Sequence, residues 1–319
     1  MAAYGALAWD RKPGVRALQP RRTDGPPGAG ASSAGRTLPP MVDATEAPPD
    51  LGRDGYALLP GLLDAAEVAR CRGRADALVA APPAPGCERP NNTLLPLRFD
   101  DPLVHLVLAP AGRRDAIRRA AGAADLRWIS GYLSVKAAGS AALWWHQDWW
   151  CWGHPVSLRP RPPQVALLCY LTATDDRSGA LRVLPASHRR ATPLHRLLPE
   201  AHAGEALALD PGHPAMSDHP GQRTLRAAPG DAVLADYRLL HGTHANHGPR
   251  RDCLLLSFAP DWAALPSDVR GHLVQHPAQP GPGERWPDGP VAGLLPRHDG
   301  PLVDLPVDRH PPEGFALTA

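Results

Sequence analysis

Proline and glycine constrain the fold of this chain more than any other feature of its sequence. Its 319 residues include 40 prolines and 30 glycines. Proline lacks the backbone N–H that helix interiors and central strands need, and its ring clashes with the preceding helical turn. The sequence therefore excludes a mostly helical bundle and favours short elements separated by turns.

The charge balance narrows the choice of partners. The chain carries 34 Lys and Arg against 32 Asp and Glu, a net charge of +2. Proteins that bind nucleic acid or anionic membranes need a basic surface, so we expect neither partner. No stretch approaches the roughly 20 apolar residues of a membrane span, and the N-terminus lacks a signal-peptide pattern.

The number and spacing of the cysteines indicate a reducing compartment. The five cysteines form an odd set without a CxxC pair, which argues against a disulfide framework and against a structural zinc site. We expect a soluble, cytoplasmic protein with a small-molecule partner, and the sequence leaves its oligomeric state open.

Composition divides the chain into three parts. Residues 1–48 are rich in Pro and Gly and poor in large apolar side chains, so we predict a disordered tail. Residues 49–276 are predicted to form the folded domain. Residues 277–319 contain ten prolines and are predicted to be an extended C-terminal segment.

The helix signals lie mainly near the start of the folded domain. Asp64 followed by Glu67 is a capping box that begins a helix ending near Ala80. A second helical region is predicted over 102–121, with a break near Pro110.

Strand signals follow from Leu126 onward. Turn-forming residues separate the short apolar runs LRWISGYLSV, QVALLCYLTA, ALRVLP, DAVLADY and CLLLSFA. One more helix is predicted near Ser267–His276. Many short strands with helices mainly on the N-terminal side predict a mainly β protein, a β-sandwich or jelly roll with helical support.

Five of the nine tryptophans crowd into WWHQDWWCW, which also contains His146 and Asp148. In a strand, residues two apart project from the same face, so these two side chains can bind one metal ion together. A chain with 15 His contains about one HxD triplet by chance, so the motif alone favours a surface His near an Asp over a metal site.

A second cluster, LLHGTHANHGPRRD, begins about 90 residues downstream of Asp148. It places a His at the end of one predicted strand and an Arg at the start of the next. Two His and one carboxylate on a β scaffold are typical of non-heme Fe(II) oxygenases, and they leave coordination positions open for other ligands. A guanidinium can hold a carboxylate through two parallel hydrogen bonds.

The order DGYALLPGLL, WHQD, GALRVLPASH, and GD followed by LLHGTHAN and an Arg resembles the phytanoyl-CoA dioxygenase family of Fe(II)/2-oxoglutarate oxygenases. The resemblance runs from about Asp54 to Phe258. It implies a double-stranded β-helix, the cupin-like jelly roll, with N-terminal supporting helices. It also implies that His146, Asp148 and His241 bind iron.

The identity of the distal histidine depends on position, because His244 and His247 are rivals to His241. We prefer His241, since it directly ends the apolar strand and lies ten residues before Arg251. His244 is predicted to face the substrate or to support a ligand.

The resemblance also implies a site for the 2-oxoglutarate cosubstrate. Arg251 would hold its distal carboxylate, and neighbouring Arg250 is the alternative. Thr243 and Gln147 match family positions near the cosubstrate or the metal. Tyr170, in a predicted strand, completes this set of cosubstrate candidates.

Lys136 is a further cosubstrate candidate. The chain has 32 Arg but only two Lys, and one of them stands in the strand that leads to the HxD motif. A pocket that needs a compact ammonium would explain it, and chance is the alternative.

Substrate-facing residues are harder to predict. Trp149, Trp150 and Trp152 directly follow the metal carboxylate and are the candidates for cavity walls, although at least half of the Trp cluster should pack in the core. His244 is a polar candidate for the same cavity. Weaker polar candidates, for each of which a position at the surface is the preferred alternative, are Asn91, Asn92, Asp236 and Arg238.

The predicted function is an Fe(II)/2-oxoglutarate-dependent dioxygenase that hydroxylates an aliphatic C–H bond of a small molecule and releases succinate and CO₂. The cosubstrates are 2-oxoglutarate and O₂, and ascorbate is a candidate reductant. Desaturation and cyclisation stay open as outcomes. The alternatives are a noncatalytic β-barrel binding protein and a cupin-like metal-dependent isomerase or hydrolase that does not use 2-oxoglutarate.

Overall fold

The computed structural model describes residues 47–83, 89, 91–198, 209–210 and 212–317. The tail predicted for residues 1–48 lies, apart from its last two residues, outside this range. No helix in the described part has the length and apolar character needed to cross a bilayer.

Helices and strands alternate in the first part of the described chain, and strands dominate afterwards. The helices are α1 (Leu51–Asp54), α2 (Ala65–Ala80), α3 (Pro102–Leu108), α4 (Ala111–Ala121) and α5 (Ser267–Leu273). The strands are β1 (Tyr56–Leu59), β2 (Asn92–Leu97), β3 (Arg127–Lys136), β4 (Leu143–His146), β5 (Val165–Tyr170), β6 (Leu181–Val183), β7 (Arg223–Leu225), β8 (Ala232–Asp236), β9 (His241–Thr243) and β10 (Arg251–Ala259).

These strands form two antiparallel sheets. The larger sheet has the order β1-β8-β5-β10-β3-β2, and the smaller has the order β4-β9-β6-β7. The non-sequential neighbours are those of a jelly roll rather than of a chain of hairpins. The predicted mainly β, double-stranded β-helix fold with N-terminal helices is confirmed.

Strand β10 shows that the two faces of the large sheet pack against different hydrophobic clusters. Leu254 and Leu256 belong to the core that packs the helices against the outer face of the sheet. Cys253, on the opposite face, belongs to a cluster that also contains residues of the small sheet. This alternation follows from the two-residue period of a strand, and it leaves the inner face for the functional site.

Local sequence signals explain the helices. Asp64 accepts from the Glu67 backbone N–H at 2.8 Å while the Glu67 side chain accepts from the Asp64 N–H at 3.0 Å, so the predicted capping box begins α2. The predicted break at Pro110 separates α3 from α4. The short helix α1 and the strands β2 and β7 were not predicted.

The residues after 276 are mostly irregular but are packed on the body of the protein. Val291 and Leu294 join the helix-and-sheet core. Phe315 joins a second cluster with Trp149, Trp150 and Trp152. The C-terminal segment therefore contributes buried surface next to the HxD motif.

Candidate active site

Two adjacent strands of the small sheet bring the predicted metal ligands together. His146 ends β4 and His241 begins β9, and the two residues are paired directly across the strands. Asp148 Oδ1 lies 3.8 Å from His146 Nε2, and Asp148 Oδ2 lies 3.6 Å from His241 Nε2. One ligand atom from each side chain fits within 4.8 Å of the others. This confirms that the three residues form one cluster.

The two rings are held in the tautomer that a metal requires. His146 donates from Nδ1 to the Trp144 carbonyl at 2.9 Å, and His241 donates from Nδ1 to the Leu239 carbonyl at 3.0 Å. A carbonyl oxygen can only accept, so the neutral rings carry their hydrogen on Nδ1 and keep a lone pair on Nε2. Two such nitrogens and one carboxylate are a donor set that fits Fe(II).

Asp148 does not lie in the same strand as His146, contrary to the expectation from the sequence. Strand β4 ends at His146, so Asp148 is not in the strand that was expected to present both side chains. Instead the backbone N–H groups of Asp148 and Trp149 both donate to the Tyr237 carbonyl at 2.9 Å. The loop after β8 therefore fixes the carboxylate.

A lysine and an arginine face each other across β3 and β10. Lys136 and Arg251 are paired in the register, and they are only 1% and 6% exposed. Arg251 Nε has no hydrogen-bond partner among the described residues, which is the state expected of a group prepared for an anion.

Lys136 is anchored but retains binding capacity. Its Nζ donates to Asn92 Oδ1 at 3.0 Å and to the Ala141 carbonyl at 2.6 Å, and an ammonium has three donors. Burial, followed by the charges of Arg251 and Arg182, lowers the pKa of Lys136 to about 7. At Gly179, where φ is +75°, a Cβ would lie 2.7 Å from Lys136 Cδ, so the close approach of the lysine requires glycine.

The structure distinguishes the two arginines at the start of β10. Arg250 forms ion pairs with Asp252 and Asp76 and is 34% exposed at its side chain, whereas Arg251 is buried. Of the other cosubstrate candidates, Thr243 is buried in β9. Tyr170, on β5, is buried and is paired with Cys253 of the neighbouring strand β10. Burial raises the pKa of Tyr170, and the charge of Arg251 acts against that rise, which places the phenol in the electrostatic field of the arginine.

A cavity lined by strands β2, β3 and β10 of the large sheet and by the loops around them reaches Asp148. Its volume is about 70 Å³, and the empty space around it, including the part that is open to solvent, is about 680 Å³. Leu94, Ile129, Leu255 and Leu273 are among its apolar walls. The polar groups that line it are Ser130, Tyr132, Asp148, Gln164, Tyr237, His272, His276 and Arg309.

One wall of this cavity carries a neutral hydrogen-bonded pair. His276 Nδ1 accepts from the Ala278 N–H at 3.1 Å, so the neutral ring has its hydrogen on Nε2 and donates to Tyr132 Oη at 3.2 Å. Burial, followed by the charge of His272, lowers the pKa of His276 to about 4, and burial raises the pKa of Tyr132. Both groups are therefore uncharged near neutral pH.

The Trp cluster divides between wall and core. Trp150 lines the cavity, donates from Nε1 to Gln164 Oε1 at 3.2 Å and stacks on His272 with ring centroids 4.3 Å apart. Trp149 is fully buried and donates to Ser157 Oγ at 2.7 Å. Among the described residues that line the cavity, Trp150 is the one tryptophan.

Three other predicted substrate contacts have structural partners instead. Asp236 and Arg238 form a buried ion pair with Nη2 to Oδ2 at 2.7 Å, and Arg238 also donates to the Ser157 and Arg159 carbonyls. His244 Nε2 lies 2.8 Å from Thr224 Oγ1. The structure does not bring these side chains to the described cavity lining.

Gln147 and Trp152 are likewise bonded to each other. In the amide orientation that satisfies both of its ends, Gln147 donates to the Arg238 carbonyl at 3.2 Å and accepts from Trp152 Nε1 at 3.0 Å. Gln147 also lines a second, smaller cavity beside His146. The Trp152 ring packs on Phe315, with centroids 4.8 Å apart.

Sequence reasoning missed Tyr132, His276 and Arg309. None of them belongs to a motif, and each reaches the cavity through contacts between distant parts of the chain. One signal in the sequence could have indicated Tyr132. It lies four residues before Lys136 on the same predicted strand, and residues separated by an even number share a face.

Comparisons with known proteins agree with this geometry. A model of the family described as phytanoyl-CoA dioxygenase matches residues 51–253. The ectoine dioxygenase of Nocardia farcinica (strain IFM 10152) is 27% identical over 248 residues, which cover 72% of this chain and 80% of that protein. The L-proline trans-4-hydroxylase of Streptomyces griseoviridis is 25% identical over 244 residues, covering 68% and 85%.

Two further comparisons are more restricted. A probable alpha-ketoglutarate-dependent hypophosphite dioxygenase of Stutzerimonas stutzeri is 27% identical over 136 residues, and the match spans only 46% of that protein and 42% of this chain. The crystal structure of HygX from Streptomyces hygroscopicus with nickel and 2-oxoglutarate has a TM-score of 0.51 at 21% identity, covering 66% of this chain and 84% of that one. This structural likeness supports the fold.

Proposed function

Because the chain belongs to the phytanoyl-CoA dioxygenase family of Fe(II)/2-oxoglutarate-dependent oxygenases, we propose that it hydroxylates an aliphatic C–H bond of a small, mostly apolar molecule. The reaction releases succinate and CO₂. The observation that carries this proposal is the cluster of His146, Asp148 and His241, whose Asp148 lines the cavity beside the large sheet.

His146, Asp148 and His241 are the proposed Fe(II) ligands. When bound, the iron supplies the oxidising chemistry of 2-oxoglutarate and O₂ at the open positions that three protein ligands leave. The protein fixes the ligands: backbone carbonyls orient both imidazoles, and the Tyr237 carbonyl orients the segment that carries Asp148.

Arg251 and Lys136 are the proposed partners of the 2-oxoglutarate carboxylate. A buried guanidinium beside a buried amine attracts an anion strongly, because neither group is solvated by bulk water. Thr243 and Tyr170 are proposed as neighbouring hydroxyl groups.

The cavity walls are proposed to hold the substrate. Leu94, Ile129 and Leu255 offer apolar contact, and Trp150 is held in place by Gln164 and His272. Walls of this kind can orient a C–H bond of the bound molecule toward the metal.

The central test is succinate formation from 2-oxoglutarate by the purified protein with Fe(II). Candidate substrates include ectoine and L-proline, on which relatives act according to their names. We expect His146→Ala and Asp148→Ala to lower turnover at least about 100-fold, since even the partners of metal ligands contribute 10–100-fold to affinity or activity. His247→Ala is the matched control and should keep turnover.

The two alternatives predict different binding. A noncatalytic binding protein would form no succinate. A cupin-like isomerase or hydrolase would bind metal but not 2-oxoglutarate, and Arg251→Ala would change nothing. Calorimetric titration of the Ni(II) form with 2-oxoglutarate separates these outcomes, and an absence of both metal binding and succinate across the panel contradicts the proposal.

A further inference from the structure

The segment of residues 304–317, here called the C-terminal strap, is fastened beside the metal-ligand cluster. The Asp308 N–H donates to the Trp150 carbonyl at 2.8 Å, and the Trp152 N–H donates to the Asp308 carbonyl at 2.9 Å. Farther along, the Ala191 N–H donates to the Phe315 carbonyl at 2.8 Å. The residue that follows Asp308 therefore has a defined position.

That residue is Arg309, which lies against both sides of the candidate metal site. It lines the main cavity together with Asp148, and it lines the smaller cavity together with His146. Its Nη1 donates to the Asp148 carbonyl at 3.3 Å. A guanidinium at this place can reach a group of a molecule bound next to the metal.

The other polar groups of the main cavity are uncharged near neutral pH. Burial lowers the pKa of His272 and of His276, and it raises the pKa of Tyr132 and Tyr237. Among the described lining residues, Asp148 and Arg309 are then the two that carry a charge. The Asp148 carboxylate faces the two imidazoles, where a cation would neutralise it.

We propose that Arg309 binds a carboxylate of the substrate, so that the enzyme acts on small, largely apolar carboxylic acids. The planar guanidinium fork matches a carboxylate with two hydrogen bonds. The apolar walls accommodate the rest of such a molecule. This inference rests on the proposed function, because it assigns the cavity to the substrate of the same metal site.

The test compares shape-matched probes that differ only in charge. Cyclohexanecarboxylate and hexanoate, each with its amide, are titrated calorimetrically into the Ni(II)-loaded protein saturated with 2-oxoglutarate. We expect the wild type to bind each carboxylate at least about tenfold more tightly than its amide, the range for hydrogen bonds to charged groups. Arg309→Gln should remove this preference, and Arg309→Lys should retain part of it because the charge remains.

Arg285→Gln is the control, since Arg285 is an exposed arginine of the same C-terminal region with an 86% exposed side chain, and it should behave as the wild type. The inference is overturned if the wild type binds none of the carboxylates, shows no preference over the amides, or keeps the preference in Arg309→Gln. Binding of Ni(II) and 2-oxoglutarate is measured in the same titrations. Its failure would count against the proposed function instead.

Discussion

Lys136 shows at the scale of one residue how burial prepares a group for its ligand. Its side chain is almost wholly enclosed, next to Arg251, and its pKa falls to about 7 because the charged form is poorly solvated and repelled. An anion beside it reverses both effects, since an opposite charge favours the ammonium. We therefore expect Lys136 to take up a proton when an anion, here the proposed 2-oxoglutarate, binds beside it.

We predict that 2-oxoglutarate binding takes up about one proton at a pH of about 8, because Lys136 is mostly neutral before binding and charged afterwards. By the same linkage, 2-oxoglutarate affinity should fall as the pH rises above about 7. Calorimetry in buffers of different ionisation enthalpy measures the uptake. Lys136→Arg is the matched variant, and its permanently charged guanidinium should abolish the uptake. Equal uptake in both proteins would contradict the prediction.

At the scale of elements, the pairing of β4 with β9 sets the distance between the proposed metal ligands His146 and His241. Gly242, between His241 and Thr243, allows the two strands to approach. A Cβ at this position would lie 2.8 Å from the Leu143 carbonyl oxygen and 3.0 Å from that of Trp144. Both obstacles are backbone atoms, so the strands themselves would have to separate.

Gly242→Ala should therefore disturb metal binding through the strands. We expect a loss of about 1–3 kcal/mol in the free energy of unfolding, the cost of overpacking, and Ni(II) affinity about tenfold lower or worse because the ligands move. Thermal unfolding and metal titration measure the two effects. Gly73→Ala is the control, since its Cβ meets nothing within 4 Å in the middle of α2, and it should gain about 0.5–1 kcal/mol.

The sequence predicts those elements and site residues whose signals are local. The capping box of α2, the break at Pro110, the main strands and the triad of His146, Asp148 and His241 could all be predicted. Strand β2 was missed because its sequence, NTLLPL, contains a proline that only a sheet-edge position tolerates. Arg309 and His276 could not be predicted, since nothing local records which segment will fold against the cavity.

At the scale of the whole molecule, the C-terminal strap joins the second hydrophobic cluster to the site. Phe315 is only 5% exposed and packs between Trp152 and His195, with ring centroids 4.8 Å and 5.3 Å away. Its burial and the backbone bonds of Asp308 hold the strap at two points, with Arg309 between them.

Phe315→Ala should loosen the strap. Replacing a buried phenylalanine with alanine lowers the free energy of unfolding by about 3–5 kcal/mol when the site unfolds together with the whole domain. The loss is smaller if the strap unfolds locally before the rest of the protein. Urea unfolding measures stability, and hydrogen exchange of the Ala191 N–H, which donates to the Phe315 carbonyl, should accelerate. Leu302→Ala, at a position 63% exposed, should leave both unchanged, and an equal effect in the two variants would count against the anchoring role.

The position of the strap has an evolutionary consequence. The proposed metal ligands lie within residues 51–253, which match the family, whereas Arg309 belongs to a segment beyond them. Substitutions in residues 304–317 can change which chemical group the cavity accepts without altering β4 or β9. Descendants of one ancestor can thus diverge in substrate while the catalytic core is inherited intact, and similarity of that core alone will group enzymes that act on different compounds.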